Sequence, residues 1–226
     1  MALDVILIET PTLSSANRTY QPPSSVWTGE DPELLESMLS FYPKRPPNLI
    51  LDATMNAGRF WRGSTRGVIG LDIEPRFRPA ILADNTHLPL ASAALDAIIY
   101  DPPHVPNQGR DKQKDFNSRF GLVVKSSRAT GYNFSHTFLP FVREAYRVLA
   151  PEGVLFCKIT DYVHNHRLQW AHVDFITAAC EAGFIPCDCI IKIRKGPIID
   201  PKWQVAHHAR RRHAYWLIFR KSSKCE

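Results

Sequence analysis

The feature that most constrains this chain is a succession of short apolar runs, each bounded by turn residues, and several ending in an aspartate. Asn48 to Ala53, Gly67 to Asp72, Ala80 to Ala83, Leu95 to Asp101, Val154 to Ile159, Cys187 to Arg194 and His213 to Phe219 each have the length of a strand and too little polar alternation for a half-exposed one. Such runs suit strands covered on both faces of a parallel sheet. Helical spacing appears between them. Asp31 to Leu39 has Pro32 at the first helical position and Asp31 as its expected cap. Thr137 to Leu149 places Phe138, Phe141, Val142, Ala145, Val148 and Leu149 on one face. Leu168 to Ala182 carries Val173, Ile176, Ala179 and Cys180 and stops at Gly183. Alternation of this kind predicts an α/β fold: a Rossmann-like, doubly wound, mostly parallel seven-stranded sheet with an antiparallel last strand. With 226 residues, 44% of them apolar, there is material for one well-buried domain, taken here as 1–226 with a lead-in and helix over 1–47.

Ligands of open α/β sheets lie at the carboxyl ends of the strands. Asp52 ends the first run, Asp72 the second and Asp101 the fourth, with Asp84 just after the third. One such aspartate is more often a solvated terminus than a ligand, so the case rests on four in register. After the first strand the segment Asp52-Ala53-Thr54-Met55-Asn56-Ala57-Gly58 reads as a tight turn, in which Asn56 and Gly58 can take positive φ. Asp72 then stands where an acid that binds ribose hydroxyls is expected, although the glycine pattern of a nicotinamide site is absent.

The fourth run delivers Asp101-Pro102-Pro103-His104 to the sheet edge. Consecutive prolines fix the backbone and leave its carbonyls pointing outward. An aryl or amide nitrogen is a poor nucleophile because its lone pair is delocalised. Hydrogen bonds from its N–H groups to the Asp101 carboxylate and the Pro102 carbonyl would draw it toward tetrahedral geometry, with His104 stacked on the substrate ring. A cationic methyl donor placed in line then requires positioning and electrostatics more than a strong base.

These residues resemble the class I S-adenosylmethionine (SAM) dependent amino-methyltransferases of the D/N-P-P-Y/F/W type, a family that includes DNA adenine-N6 and cytosine-N4 methyltransferases, RNA base methyltransferases and glutamine methyltransferases. The resemblance covers nearly the whole chain. Thr28 to Leu39 is similar to the helix preceding the SAM loop, Asp52 to Phe60 to that loop, and Glu144 to Gly153 to the helix and turn before the fifth strand. It implies SAM as cofactor, held by Asp52, Thr54, Asn56 and Gly58, by Asp72 and Ile73 at the ribose, and by Asp84 and Asn85 at the adenine, with Asp101 reaching both donor and acceptor. Asp101, Pro102, Pro103 and His104 are the implied catalytic residues. Two departures stand out: Asn56 replaces the first glycine of the loop, and His104 the usual aromatic residue.

Charge bears on the acceptor. The formal net charge is +6, and it is unevenly placed. The long segment 105–133 lacks periodicity and holds Arg110, Lys112, Lys114, Arg119, Lys125 and Arg128 against Asp111 and Asp115, as a substrate loop would. From Lys192 to Lys224 ten Lys and Arg residues, including Arg210, Arg211 and Arg212, face only Asp200. A nucleic-acid partner, DNA or RNA, is therefore expected, with these residues on phosphates. The reading is transfer to an exocyclic amino nitrogen of a base, DNA adenine N6 before RNA or cytosine N4. The alternatives are a protein glutamine or small-molecule amine, and a catalytically degenerate nucleic-acid-binding subunit. Five scattered cysteines lack metal or redox spacing, so no metal site is expected and reduced thiols point to the cytoplasm. No apolar run nears the roughly eighteen residues of a membrane span, and nothing in the sequence fixes an oligomeric state.

Overall fold

The computed structural model describes residues 22–103, 134–164, 167–195 and 208–223. Its strands are β1 (Val26–Trp27), β2 (Ile50–Asp52), β3 (Val68–Asp72), β4 (Ile81–Leu82), β5 (Leu95–Tyr100), β6 (Leu149–Ile159), β7 (Tyr162–His164), β8 (Arg167–Gln169), β9 (Phe184–Ile193) and β10 (His213–Lys221), and its α-helices are α1 (Asp31–Phe41), α2 (Phe134–Val148) and α3 (Ala171–Glu181). Eight strands form one sheet in the order β1-β9-β10-β6-β5-β2-β3-β4, and β10 runs antiparallel to both its neighbours. The expected doubly wound, mostly parallel sheet is present with an antiparallel last strand, but it has eight strands rather than seven. The addition is β1, two residues long, which pairs in parallel with β9 through Val26↔Ile191 and Trp27↔Lys192.

Period-2 alternation in the central strands feeds two cores. Ile98 and Tyr100 of β5 join Leu51, Leu155, Phe141 and Phe175 on the face covered by α2 and α3, where the rings of Tyr100 and Phe141 stack 3.7 Å apart. Ala97 and Ile99 turn the other way, toward Leu34, Leu35, Met38 and Leu39 of α1, with Phe156, Ile190 and Trp216. Burial on both faces explains why these strands read as continuous apolar runs.

Several boundaries differ from expectation: α2 begins at Phe134, Leu149 opens β6 rather than closing that helix, and β9 begins at Phe184. Leu168 lies not in a helix but in the hairpin of β7 and β8, and α3 begins at Ala171. Its end is as expected, at Gly183 with φ +99°. At α1 the capping position falls on Glu30, whose side chain makes no cap bond, and Asp31 is already helical. The Asp31 carboxylate is drawn instead to Lys158 Nζ at 2.6 Å and to the Trp216 indole N–H at 3.1 Å. Among the described residues no helix is long and apolar enough to cross a membrane.

Candidate active site

Because β2, β3, β5, β6 and β9 are parallel, their carboxyl ends meet at one edge of the sheet, where a cleft of about 710 Å³ opens. The turn after β2 forms one wall and is tied down on every side. Ala53 N–H donates to Ile99 O of β5 at 2.9 Å, and Met55 N–H to Leu71 O of β3 at 3.0 Å. Asn56 (φ +49°) and Gly58 (φ +63°) both adopt the left-handed conformation their residue types allow, as expected. Underneath, Met55 lies across β3 at Gly70, where a Cβ would stand 1.6 Å from its sulfur, so a methyl group there would have to displace the Met55 side chain.

Asp52 is 1% exposed, and its carboxylate serves its own loop, accepting from Thr54 N–H at 3.1 Å and from the Trp61 indole N–H at 2.7 Å. Neither donor is charged. Burial, reinforced by the neighbouring carboxylates of Asp101 and Asp72 against the pull of those two hydrogen bonds, pushes its pKa up to about 7. Three carboxylates therefore converge where the ends of β2, β3 and β5 meet. The Asp72 carboxylate accepts from Asn56 N–H at 2.7 Å and Glu74 N–H at 2.9 Å, which leaves each oxygen a further lone pair. Beside it Ile73 is 42% exposed, an apolar surface at the same edge. Asp84 is exposed and accepts on one oxygen from the backbone and hydroxyl of Thr86, while the Asn85 amide donates to Ala53 O at 3.0 Å and braces the loop from the β4 side.

Asp101 and Pro103 are half-buried and Pro102 is buried; all three line the cleft. The Asp101 N–H, the last before the prolines, donates to Thr54 Oγ1 at 2.7 Å. One hydroxyl thus joins the loop after β2 to the tetrapeptide after β5. His104 and the basic segment with Arg110, Lys112, Lys114, Arg119, Lys125 and Arg128 lie outside the described residues.

Several lining residues escaped the sequence reading: Glu30 and Asp31 after β1, and Lys158, Thr160 and Asp161 around the end of β6; Lys192 and Arg194 at the end of β9, which also line the cleft, belong to the basic block expected on phosphates. The signal was present at Lys158, Thr160 and Asp161, which lie at the end of a run already read as a strand. Asp161 is 5% exposed and pairs with His172 Nδ1 at 2.7 Å. Arg210 and Arg212 are exposed and Arg211 is half-buried. They lead into β10, whose antiparallel course brings its start to this same edge, and Arg212 O accepts from Arg194 N–H at 2.7 Å.

No protein-family profile matches the chain, and no curated protein does. Its fold does have solved counterparts. A SAM-dependent methyltransferase from Methanosarcina mazei superposes with a TM-score of 0.52 at 11% identity, over 80% of this chain and 96% of the other. A chain in the complex of the Haloferax volcanii Trm112 methyltransferase activator with a candidate methyltransferase gives 0.53 at 14%, over 85% and 90%. Against a Thermus thermophilus protein named as a candidate DNA modification methylase and solved with S-adenosyl-L-methionine, the TM-score is 0.41 at 18% identity over 64% of this chain, which spans only 55% of that protein. At these identities the likeness defines the fold, the Rossmann-like sheet of SAM-dependent methyltransferase structures.

Proposed function

We propose that this chain is a SAM-dependent methyltransferase acting on an exocyclic amino nitrogen of a nucleic-acid base, DNA adenine N6 before RNA or cytosine N4. The observation that carries the reading is the Thr54–Asp101 bond, which fixes the donor loop and the Asp101-Pro102-Pro103 backbone in one cleft. A cationic donor also fits the charge there: Asp52 is buried beside two other carboxylates, with only neutral hydrogen-bond donors. When bound, SAM supplies an electrophilic methyl group on a sulfonium. The turn from Thr54 through Asn56 to Gly58 would hold its amino-acid end, Asp72 the ribose hydroxyls against the apolar side of Ile73, and Asp84 and Asn85 the adenine edge.

On the acceptor side, the Asp101 carboxylate and the Pro102 carbonyl are the acceptors for the two N–H bonds of an exocyclic amine. Accepting both localises the nitrogen lone pair and aims it. The backbone holding them is stiffened by two prolines and anchored at Thr54, so the arrangement is preorganised. In a duplex the base would have to leave the stack to reach this cleft.

Incubation with tritiated SAM and separate pools of DNA, RNA and protein, followed by digestion of the labelled pool, tests the proposal. Label in an N-methylated nucleoside is the expected result. Label in the protein pool alone would transfer the reading to a glutamine acceptor, and absence of SAM binding by isothermal titration would leave a nucleic-acid-binding subunit.

A further inference from the structure

Along β9 the side chains alternate, and those of Ile190, Lys192 and Arg194 turn to the α1 side of the sheet, the side that also holds Ile99 of β5 and Phe156 of β6. Continued one step past the last paired residues, the same alternation brings Lys158 of β6 and Asp101 after β5 to that side. The cations therefore share a face with the tetrapeptide. In register, Ala214 of β10 stands opposite Lys192, and Lys192 and Arg194 both line the cleft.

Their charges are balanced differently. Lys158 is matched by Asp31 at 2.6 Å and lies over the rings of Phe60 and Trp216. Lys192 is 7% exposed, donates one hydrogen bond, to Ile193 O at 3.0 Å, and among the described residues has no carboxylate within 4.0 Å. Glu30, whose carboxylate feels the Lys192 charge, is bonded to Lys195 at 2.6 Å. Arg194 donates to the Thr160 hydroxyl at 3.0 Å and likewise meets no carboxylate among the described residues. An ammonium on a buried side chain at the cleft, with two donors to spare and no carboxylate within 4.0 Å among the described residues, is stabilised when an anion arrives.

Resting on the proposed methyltransferase reading, we propose that Lys192 and Arg194 form a phosphate subsite that holds the backbone of a DNA strand while its base lies at Asp101. The strand order assigns the anion to the acceptor rather than to SAM. The donor residues lie on β2, β3 and β4, on one side of β5, whereas β9 lies three inter-strand spacings to the other side, on the order of 14 Å away. A base gripped by its amino group at Asp101 would direct its sugar and phosphate toward that end. Arg210 and Arg212, exposed at the same edge, continue the positive surface outward.

The test uses the whole protein, SAM, a short mixed-sequence DNA strand, and the same strand as an uncharged methylphosphonate. Lys192→Met keeps the buried stem and removes the charge; Arg194→Gln serves should the first variant fold poorly. Each is expected to weaken the DNA strand about tenfold, the loss of one charged hydrogen bond, and to lower the salt slope by about 0.7. Methylphosphonate binding and SAM affinity should stay as in the native protein. An equal loss of SAM affinity would place the donor's carboxylate there instead and overturn the proposal, as would an equal loss with the uncharged strand. Native protein that binds DNA but not SAM would refute the methyltransferase reading on its own. Native protein that binds SAM but not the charged strand would refute the subsite, and DNA as the acceptor with it, while leaving the SAM-dependent methyltransferase reading in place.

Discussion

Asp52→Asn tests the electrostatics of the donor loop most directly. The carboxylate is fully buried, its hydrogen-bond donors are the uncharged Thr54 and Trp61 N–H groups, and the neighbouring charges of Asp101 and Asp72 are of its own sign. Burial and repulsion lift its pKa from an ordinary 3.8 to about 7, so the folded state holds this proton more tightly than the unfolded state. The sign follows from linkage. The contribution of this group to stability is fully present below about pH 3.8 and is lost as pH rises through about 7. At about 1.4 kcal/mol per pH unit across that gap, the swing is about 4 kcal/mol. Asparagine cannot ionise, and its one amide oxygen serves only one of the two donors. The variant should therefore carry a pH-independent penalty of about 1–2 kcal/mol. Urea unfolding of both proteins between pH 4 and pH 8 measures the difference. The variant should gain on the native protein steadily as pH rises, and parallel stability curves would refute the reasoning.

Asp101→Ala should abolish methyl transfer while SAM affinity stays within a few-fold, since its carboxylate acts mainly on the acceptor; equal loss of both, by titration and radiolabel assay, would make its role structural. Thr54→Val removes the acceptor of the Asp101 N–H and should slow turnover roughly ten- to hundredfold, the equivalent of about 1.4–3 kcal/mol, with little change in unfolding midpoint; an unchanged rate would mean that this link does not hold the site together. Gly70→Ala drives a methyl group into the Met55 sulfur and should destabilise the protein by about 1–3 kcal/mol and weaken SAM binding, with Met55→Ala added to the same chain restoring part of both.

Much of the sheet was legible because burial on both faces writes itself into sequence as an unbroken apolar run. Leu95 to Tyr100 and Ile50 to Asp52 needed nothing else, and the acids at their ends marked the edge where a ligand belongs. The turn after β2 was equally readable, since Asn56 and Gly58 are residue types that tolerate the positive φ they adopt. What failed was whatever depends on residues distant along the chain. The two residues of β1 carry no periodicity of their own and become a strand only beside β9. The hairpin of β7 and β8 was absorbed into a helix because Leu168 happens to fall at helical spacing from Ala179 and its neighbours.

The sequence by itself determined the alternation of strands and helices, the acidic strand ends and the rigid Asp101-Pro102-Pro103 backbone, since each follows from local periodicity and local stereochemistry. Only the tertiary structure decided which charges are matched. Asp31 was expected to cap a helix, yet its carboxylate neutralises Lys158, 127 residues away, across the parallel sheet. Asp52 was expected to face a ligand, yet it is turned into its own loop by Trp61. Lys192 read as one more basic residue in a charged block, and the fold buries it in the cleft that Asp101 lines, with no carboxylate within 4.0 Å among the described residues. Pairings of this kind depend on strand order and register, which no local pattern encodes, and they separate a surface lysine from one poised for a phosphate.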